Sequence, residues 1–290
     1  MILSMTGYGK AEGTIGTRKF TIELRSLNSK QFDLNVRMPS MFKEKEMALR
    51  TFLSQEVGRG KSDLTIFYEA SAEEKKISVN KPLMISYQKD FEEVAKAFGQ
   101  ENPDYLSAVM RIPDVLRPEK EELNEDEWSQ IMTLVKTALA GFKGYRTQEG
   151  EILYHDFKAR INTILQLQIE LGPLIDARVQ RTKDRIKNNL SEWIEADKID
   201  TNRFEQEMIY YLEKMDVTEE LVRLKGNCDY FLEILEDEEM QGKKLGFISQ
   251  EIGREINTLG SKANDAEMQR SVVQMKDELE KIKEQILNVL

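Results

Sequence analysis

A chain of 290 residues, 40% hydrophobic and 32% charged, suits one large or two ordinary domains with a real buried core. It holds no run of about 18 apolar residues, which excludes a membrane-spanning helix, and its opening MILSMTGYGK lacks the charged and long apolar regions of a secretory signal. A single cysteine, Cys228, excludes an internal disulfide or a thiolate metal knot, and the expected setting is the bacterial cytoplasm. Net charge is −10, yet residues 1–70 carry eleven Lys/Arg against eight Asp/Glu, which makes this front +3 and the remainder −13. Screening confines repulsion to roughly 8–10 Å, so such a front can still meet a phosphate backbone. On charge alone, chance composition is the simpler explanation.

In chain order, ILSMTGYG reads as a strand, and KFTIELRSL and FDLNVRMP place apolar side chains at every second position, the period of half-buried strands. The polar residues between them, Ser26, Asn28, Ser29 and Lys30, predict a hairpin-type connection. Ser40 is a candidate N-cap for a helix over MFKEKEMALRTFLSQEV, which GRGK ends before SDLTIFYEA returns to alternation. Residues 1–80 therefore predict a basic α+β domain, a small, mostly antiparallel sheet with one helix packed across it.

Past residue 80 the pattern turns helical. NKPLMISYQKDFEEVAKAFG opens with Asn80 and Pro82 and stops at Gly99, as a capped helix should. PDYLSAVMRIPDVLRPE reads as a Pro-punctuated linker with a short helix inside it, and EKEELNEDEW as a solvated loop. Residues 127–195 read as long amphipathic helices interrupted near ELGP. The predicted division is an N-terminal domain over 1–80, a helical middle region over 81–145 and a C-terminal all-α domain over 146–290.

Two C-terminal helices carry the most information. DVTEELVRLKGNCDYFLEILED begins with Asp216 and Glu219 at capping-box spacing. Leu221, Leu224, Cys228, Phe231, Leu232 and Leu235 form an apolar stripe, which makes Cys228 a packing residue. Glu220, Arg223 and Asn227 line up on the other side. In QEIGREINTLGSK and its surroundings, Ile248, Ile252, Ile256, Leu259 and Ala263 make the buried stripe. Gln250, Arg254, Asn257, Ser261 and Asp265 occupy a narrow arc opposite, and Glu251, Glu255, Thr258 and Lys262 an adjoining strip. Asn, Ser, Thr and Gly each weaken a helix by up to about 1 kcal/mol against Ala, so this face is selected for contact. A second helix and a ligand are even alternatives for that contact. Paired carboxylates suit a hard divalent cation, and Arg, Lys, Asn and Gln suit phosphate, ribose and base. Together they suit metal-assisted phosphodiester cleavage.

SMTGYGKAEG, ELRSLNSKQFDLNVRMP, GRGKSDLTI, YRTQEGEIL, DVTEELVRLKGNCDYF and GKKLGFISQEIGREINTLGSKANDAEM occur in the order seen in YicC-like endoribonucleases, which this chain resembles at both ends and only weakly over 70–145. The resemblance implies a bacterial cytoplasmic enzyme that cleaves single-stranded RNA, not DNA, with a divalent cation, Mn²⁺ or Mg²⁺, and assembles as a ring-like homo-hexamer around RNA. It assigns RNA contacts to Arg25, Asn28, Lys30, Arg37, Arg59 and Lys61 in the N-terminal part, and to Arg223, Asn227, Gln250 and Lys262 in the C-terminal part. Glu251, Glu255, Arg254 and Asn257 are the expected catalytic group, and Glu220, Glu251, Glu255 and Glu149 the expected metal ligands, with Asp265 a further motif position.

Two departures stand out: many relatives have His where this chain has Ser29 and Asn227. The one histidine, His155, reads as a surface or packing residue, so the chemistry is expected to rest on carboxylates and metal. An RNA-binding adaptor that hands transcripts to another nuclease is the alternative function, and a helical scaffold with its polar face buried between subunits is a third.

Overall fold

The structure, a computed structural model, describes residues 2–29, 31–69, 77–99, 104–113, 115–118, 125–193, 201–237 and 242–290. Strand β1 (Gly7–Ile15) turns back through Gly16, at φ 59°, into β2 (Arg18–Leu27). Then follow β3 (Asp33–Arg37), helix α1 (Glu46–Val57) and β4 (Lys61–Glu69). The sheet order is β1-β2-β4-β3, with β3 parallel to β4 and the other pairs antiparallel. The class is α+β, as predicted, but the hairpin predicted at residues 26–30 does not form. Strand β4 lies between β2 and β3, and Ser26 is buried within β2, bonded to the Met5 carbonyl at 2.7 Å. Alternation identifies a strand and is blind to its partner. Lys30 lies outside the described residues. Ser40 does not cap a helix either; it opens a 3₁₀ turn over Ser40–Lys45, without a side-chain cap, that leads into α1.

Phe20, Ile22, Leu24, Leu64 and Ile66 form the inner face of the sheet, and two helices cover it where one was predicted. Helix α1 contributes Leu49, Leu53 and Val57. The second helix spans Glu125–Trp193 and contributes Ile131, Val135, Ala138 and Phe142. It lies directly on β1, because TGYGKAEG places glycine at inward positions: a Cβ at Gly9 would overlap the Ala138 carbonyl and one at Gly7 the Phe142 ring. Gly9→Ala is therefore expected to force these elements apart and lower stability by about 1–3 kcal/mol, read as a lower urea midpoint.

The middle region contains β5 (Ile77–Val79), α2 (Lys81–Ala97), α3 (Tyr105–Val109) and β6 (Leu116–Pro118), with β5 and β6 paired antiparallel. Asn80 caps α2 by accepting from the Leu83 amide at 3.4 Å, as its position predicts. Glu125–Trp193, hereafter α4, does not break at ELGP. It is one 69-residue helix with Pro173 inside it, and the boundary expected at 145/146 falls within it. Proline removes a backbone hydrogen bond and favours a kink. Burial of Leu171, Leu174 and Ile175 around Pro173 against the second core offsets that penalty.

That second core is a bundle of α4, α6 (Thr218–Glu236), α7 (Gly242–Lys262) and α8 (Ala266–Ile286), entered from α4 through α5 (Thr201–Met215). Helix α4 neighbours α6 and α8, and α7 neighbours the same two, so the four close a ring. Arg160 pairs with Glu278 at 2.8 Å, Lys262 with Glu220 at 2.8 Å and Lys244 with Asp237 at 3.8 Å. With Arg181 paired to Asp265 at 2.5 Å and Gly253 and Gly260 set against Leu279 and Val272, each neighbouring pair is antiparallel, so α4 and α7 run one way and α6 and α8 the other. Gly253 and Gly260 face α8, where an added Cβ would meet Leu279 at 3.2 Å and Val272 at 3.0 Å. The glycines of QEIGREINTLGSK thus serve close helix packing, one of the two alternatives left by the sequence.

Candidate active site between helices α6 and α7

The predicted buried stripe of α7 is buried throughout, from Ile248 to Ala263. Its Glu251–Glu255–Lys262 strip consequently borders α6, while Gln250, Arg254 and Asn257 are exposed on the outward ridge. On α6, Leu224, Cys228, Phe231 and Leu235 are in the core, and burial pushes the Cys228 thiol up to about 12, so it stays protonated and inert. Glu220 departs from expectation. It does not point to solvent opposite the stripe, but is buried at the α6–α7 seam, where Lys262 donates to its Oε1 at 2.8 Å and to the Asp216 carbonyl at 2.9 Å. The two pairs 220/262 and 237/244 set an antiparallel register that brings Arg223 and Asn227 alongside residues 255–259.

Glu255, half-buried, is the electrostatic centre of this seam. Its pKa is raised above the ordinary value first by burial; Arg223 opposes the shift, and Glu220, Glu251 and Glu219 reinforce it. The structure therefore brings together Glu220, Glu251 and Glu255 with Arg223 and Lys262, and adds Glu219, which the sequence reading had passed over as a cap. Arg223 is paired with Glu219, and Arg254 with Glu251 at 2.6 Å. The hydroxyls of Thr258 and Ser261 bond back to their own helix. Arg178, buried in α4, donates to the carbonyls of Lys262 and Met215. It satisfies a helix C-terminus and so holds the base of the Lys262 side chain in place.

Would this seam accept a divalent cation? Among the described residues no three Asp, Glu, His or Cys side chains are placed so that together they could hold a metal ion. Magnesium-like ions, however, are usually held by one or two carboxylates, with waters and substrate phosphates completing the shell. Glu220 Oε2 is buried without a hydrogen-bond partner, an arrangement that costs free energy unless something binds there. The donor set fits a hard cation on that count.

Glu149 does not belong to this group. It accepts from Thr6 Oγ1 at 2.5 Å and lines a groove of about 480 Å³ with Tyr145, Asp156, Arg160 and Gln285. That groove lies between α4 and α8, whereas the other glutamates lie between α6 and α7, the opposite side of the ring. Spacing along one helix says nothing about which side of a bundle a residue from a different helix faces. Asp265 is likewise structural: it caps α8 by accepting from the Glu267 and Met268 amides at 3.0 and 3.2 Å, and pairs with Arg181 at 2.5 Å. His155 is exposed and edge-on to Tyr154.

The N-terminal cations gather at one corner of the sheet. Arg25 lies 5.4 Å from the Tyr8 ring and bonds Glu23 at 2.7 Å. Lys61 pairs with Leu27 and with Asp33 in register, Asn28 follows β2 directly, and Arg37 is exposed at the far end of β3. Arg59 is tied by its carbonyl to Arg146, a residue the sequence reading missed. Buried Arg146 donates to the carbonyls of Val57, Met5 and Arg59 at 2.8, 3.0 and 3.0 Å, and to Ser26 Oγ at 3.2 Å. Burial lowers its pKa to about 10.

Comparison with known proteins finds matches to both halves of the chain. A family model described as "Endoribonuclease YicC-like, N-terminal region" matches residues 2–155, and one described as "Endoribonuclease YicC-like, C-terminal" matches residues 172–290. The chain is 30% identical to a probable endoribonuclease YicC of Clostridioides difficile strain 630 and 31% identical to one of Haemophilus influenzae, each over 100% of both chains. Full-length similarity at this level, with both halves matched in order, places the chain in the YicC-like endoribonuclease family.

Proposed function

We propose that this chain is an endoribonuclease that cuts single-stranded RNA with the help of a divalent cation, at the seam between α6 and α7. One observation carries the reading: a buried carboxylate with an unpartnered oxygen, Glu220 Oε2, beside Glu255, whose pKa burial raises, and the cations Arg223 and Lys262. One or two of the seam carboxylates Glu220, Glu251 and Glu255 would hold the cation, with waters and substrate phosphate completing its shell. When bound, such an ion supplies an activated water and screens the charge on the phosphoryl oxygens.

The chain's own residues do the rest. Arg223 and Arg254 exchange their carboxylate partners for phosphate oxygens, and Lys262 keeps Glu220 oriented. Glu255, whose pKa is raised by burial, must give up its proton before it can serve as a ligand. Asn227, half-buried on the same seam, offers an amide hydrogen bond to the strand. The corner of Arg25, Asn28, Arg59 and Lys61, with Arg37 beyond it, leads the strand in by phosphate contacts.

The proposal extends to a homo-hexameric ring in the bacterial cytoplasm that acts in RNA turnover or small-RNA regulation. The family resemblance and the exposed Ile209, Tyr210 and Tyr211 of α5 support an assembly of this kind. No described helix is long and apolar enough to cross a membrane. Incubation with end-labelled single-stranded RNA is expected to give internal cuts with Mn²⁺ or Mg²⁺, and none with chelator. Binding without cutting under any metal would favour the adaptor role instead.

A further inference from the structure

Two aromatic side chains on the α6–α7 face have no place in either core. Phe247 is 69% exposed and Tyr230 48% exposed. Phe247 precedes Glu251 by one helical turn and Arg254 by two, on the ridge that carries the candidate catalytic residues. The register set by the 220/262 and 237/244 pairs puts Tyr230 level with residues 251–252 on the opposite helix. The two rings therefore flank one seam from opposite helices, offset along it by a little over one turn, with Glu251 level with Tyr230 and one turn from Phe247.

Exposed aromatics of this size lose free energy to water unless something covers them. Their surroundings say what would. Arg223, Arg254 and Lys244 are exposed on the same two helices, paired with Glu219, Glu251 and Asp237. Cations that can exchange those surface partners for phosphate, together with open aromatic faces, match a nucleic-acid strand, whose phosphates and bases alternate. An apolar protein partner would have to desolvate these same charges, which is costly.

We propose that Phe247 and Tyr230 are base-stacking platforms that grip two unpaired bases on either side of the phosphate presented to Glu251 and Glu255. The assignment rests on the RNA-cleaving reading of this face and deepens it. It makes single-strandedness a physical requirement, because bases paired in a duplex have no free face to stack. It also makes binding tolerant of sequence, since every base has such a face.

The test uses the full chain and single-stranded RNA containing 2-aminopurine, with binding read in chelator and cleavage in Mn²⁺. Phe247→Ala or Tyr230→Ala is expected to weaken binding and raise KM about tenfold each, with kcat changed little, and to abolish the stacking quench of 2-aminopurine. Phe247→Trp and Tyr230→Phe should retain the quench, and Phe247→Leu should not. A double-alanine variant that binds and quenches like the parent overturns the proposal, even if metal-dependent cleavage holds. So does a change in oligomeric state by light scattering with the quench intact, which would make the rings a subunit contact. Quenching by the parent without any cleavage would leave the platforms standing and remove the catalytic reading instead.

Discussion

Glu251→Gln/Glu255→Gln is expected to lose cleavage by about 10²–10⁴-fold while still binding RNA. Removing ligands that orient a cation forfeits several kcal/mol of transition-state stabilisation, and each 1.36 kcal/mol is tenfold in rate. Binding survives because the platform rings and the cations Arg223 and Lys262 are untouched, and Arg254 is freed from Glu251. The measurement is kcat on labelled RNA alongside Kd in chelator. Equal cutting by variant and parent would remove the seam as the active site.

The same site carries a pH signature. Burial first, then Glu220, Glu251 and Glu219 against the opposing Arg223, raise the pKa of Glu255. A raised carboxyl binds its proton more tightly in the folded chain than in the unfolded one. Its ionisation therefore works against folding as pH rises through the folded value, and the penalty is relieved below the unfolded value. A ligating carboxylate must be ionised, so the acid limb of cleavage should lie higher than an unperturbed glutamate would set it. Glu219→Gln removes a like charge and frees Arg223 toward Glu255, and should move that limb to lower pH.

Arg146→Leu is expected to lower stability by at least about 3 kcal/mol. Its guanidinium gathers three carbonyls from two separate segments, Met5 and the Val57–Arg59 turn, with no carboxylate among its described bonds. A hydrogen bond to a charged group contributes about 1.5–3 kcal/mol, and leucine makes none of them. Met5 keeps the Ser26 hydroxyl and Val57 the Arg59 amide, while the Arg59 carbonyl loses this donor. Lysine would not replace the fork either, because its ammonium is a compact point charge. The loop from Val57 to Lys61 hangs on these bonds, so RNA affinity should fall together with stability. Urea unfolding of Arg146→Leu and Arg146→Lys, followed by RNA titration in folded conditions, checks both. A parent-like urea midpoint would show that the clamp is dispensable.

Much of this protein was legible from residue order alone. The 3.6-residue period located the buried stripe of α7 from Ile248 to Ala263, and the two-residue period located β2, β3 and β4, because burial of one face is written directly into spacing. Asn80 and Gly99 likewise marked the ends of α2 through local backbone chemistry. Partners were another matter. Nothing local told β3 to pair with β4 rather than β2, because alternation is the same whichever strand lies alongside. Pro173 looked like a break until Leu171, Leu174 and Ile175 were found packed on either side of it. The glycines of QEIGREINTLGSK pointed to contact, and only the bundle showed that α8 was what they touched.

The candidate site divides in the same way. Glu251 and Glu255 share a face by helix geometry, which any reader of the sequence can compute. That Glu220 is buried against Lys262, that Glu219 adds its charge, and that Glu149 stands on the far side of the bundle were decided by how four helices close into a ring. Short-range spacing determines which side chains share a helix face; long-range packing determines what that face meets, and it is that meeting which sets charge, burial and proton affinity.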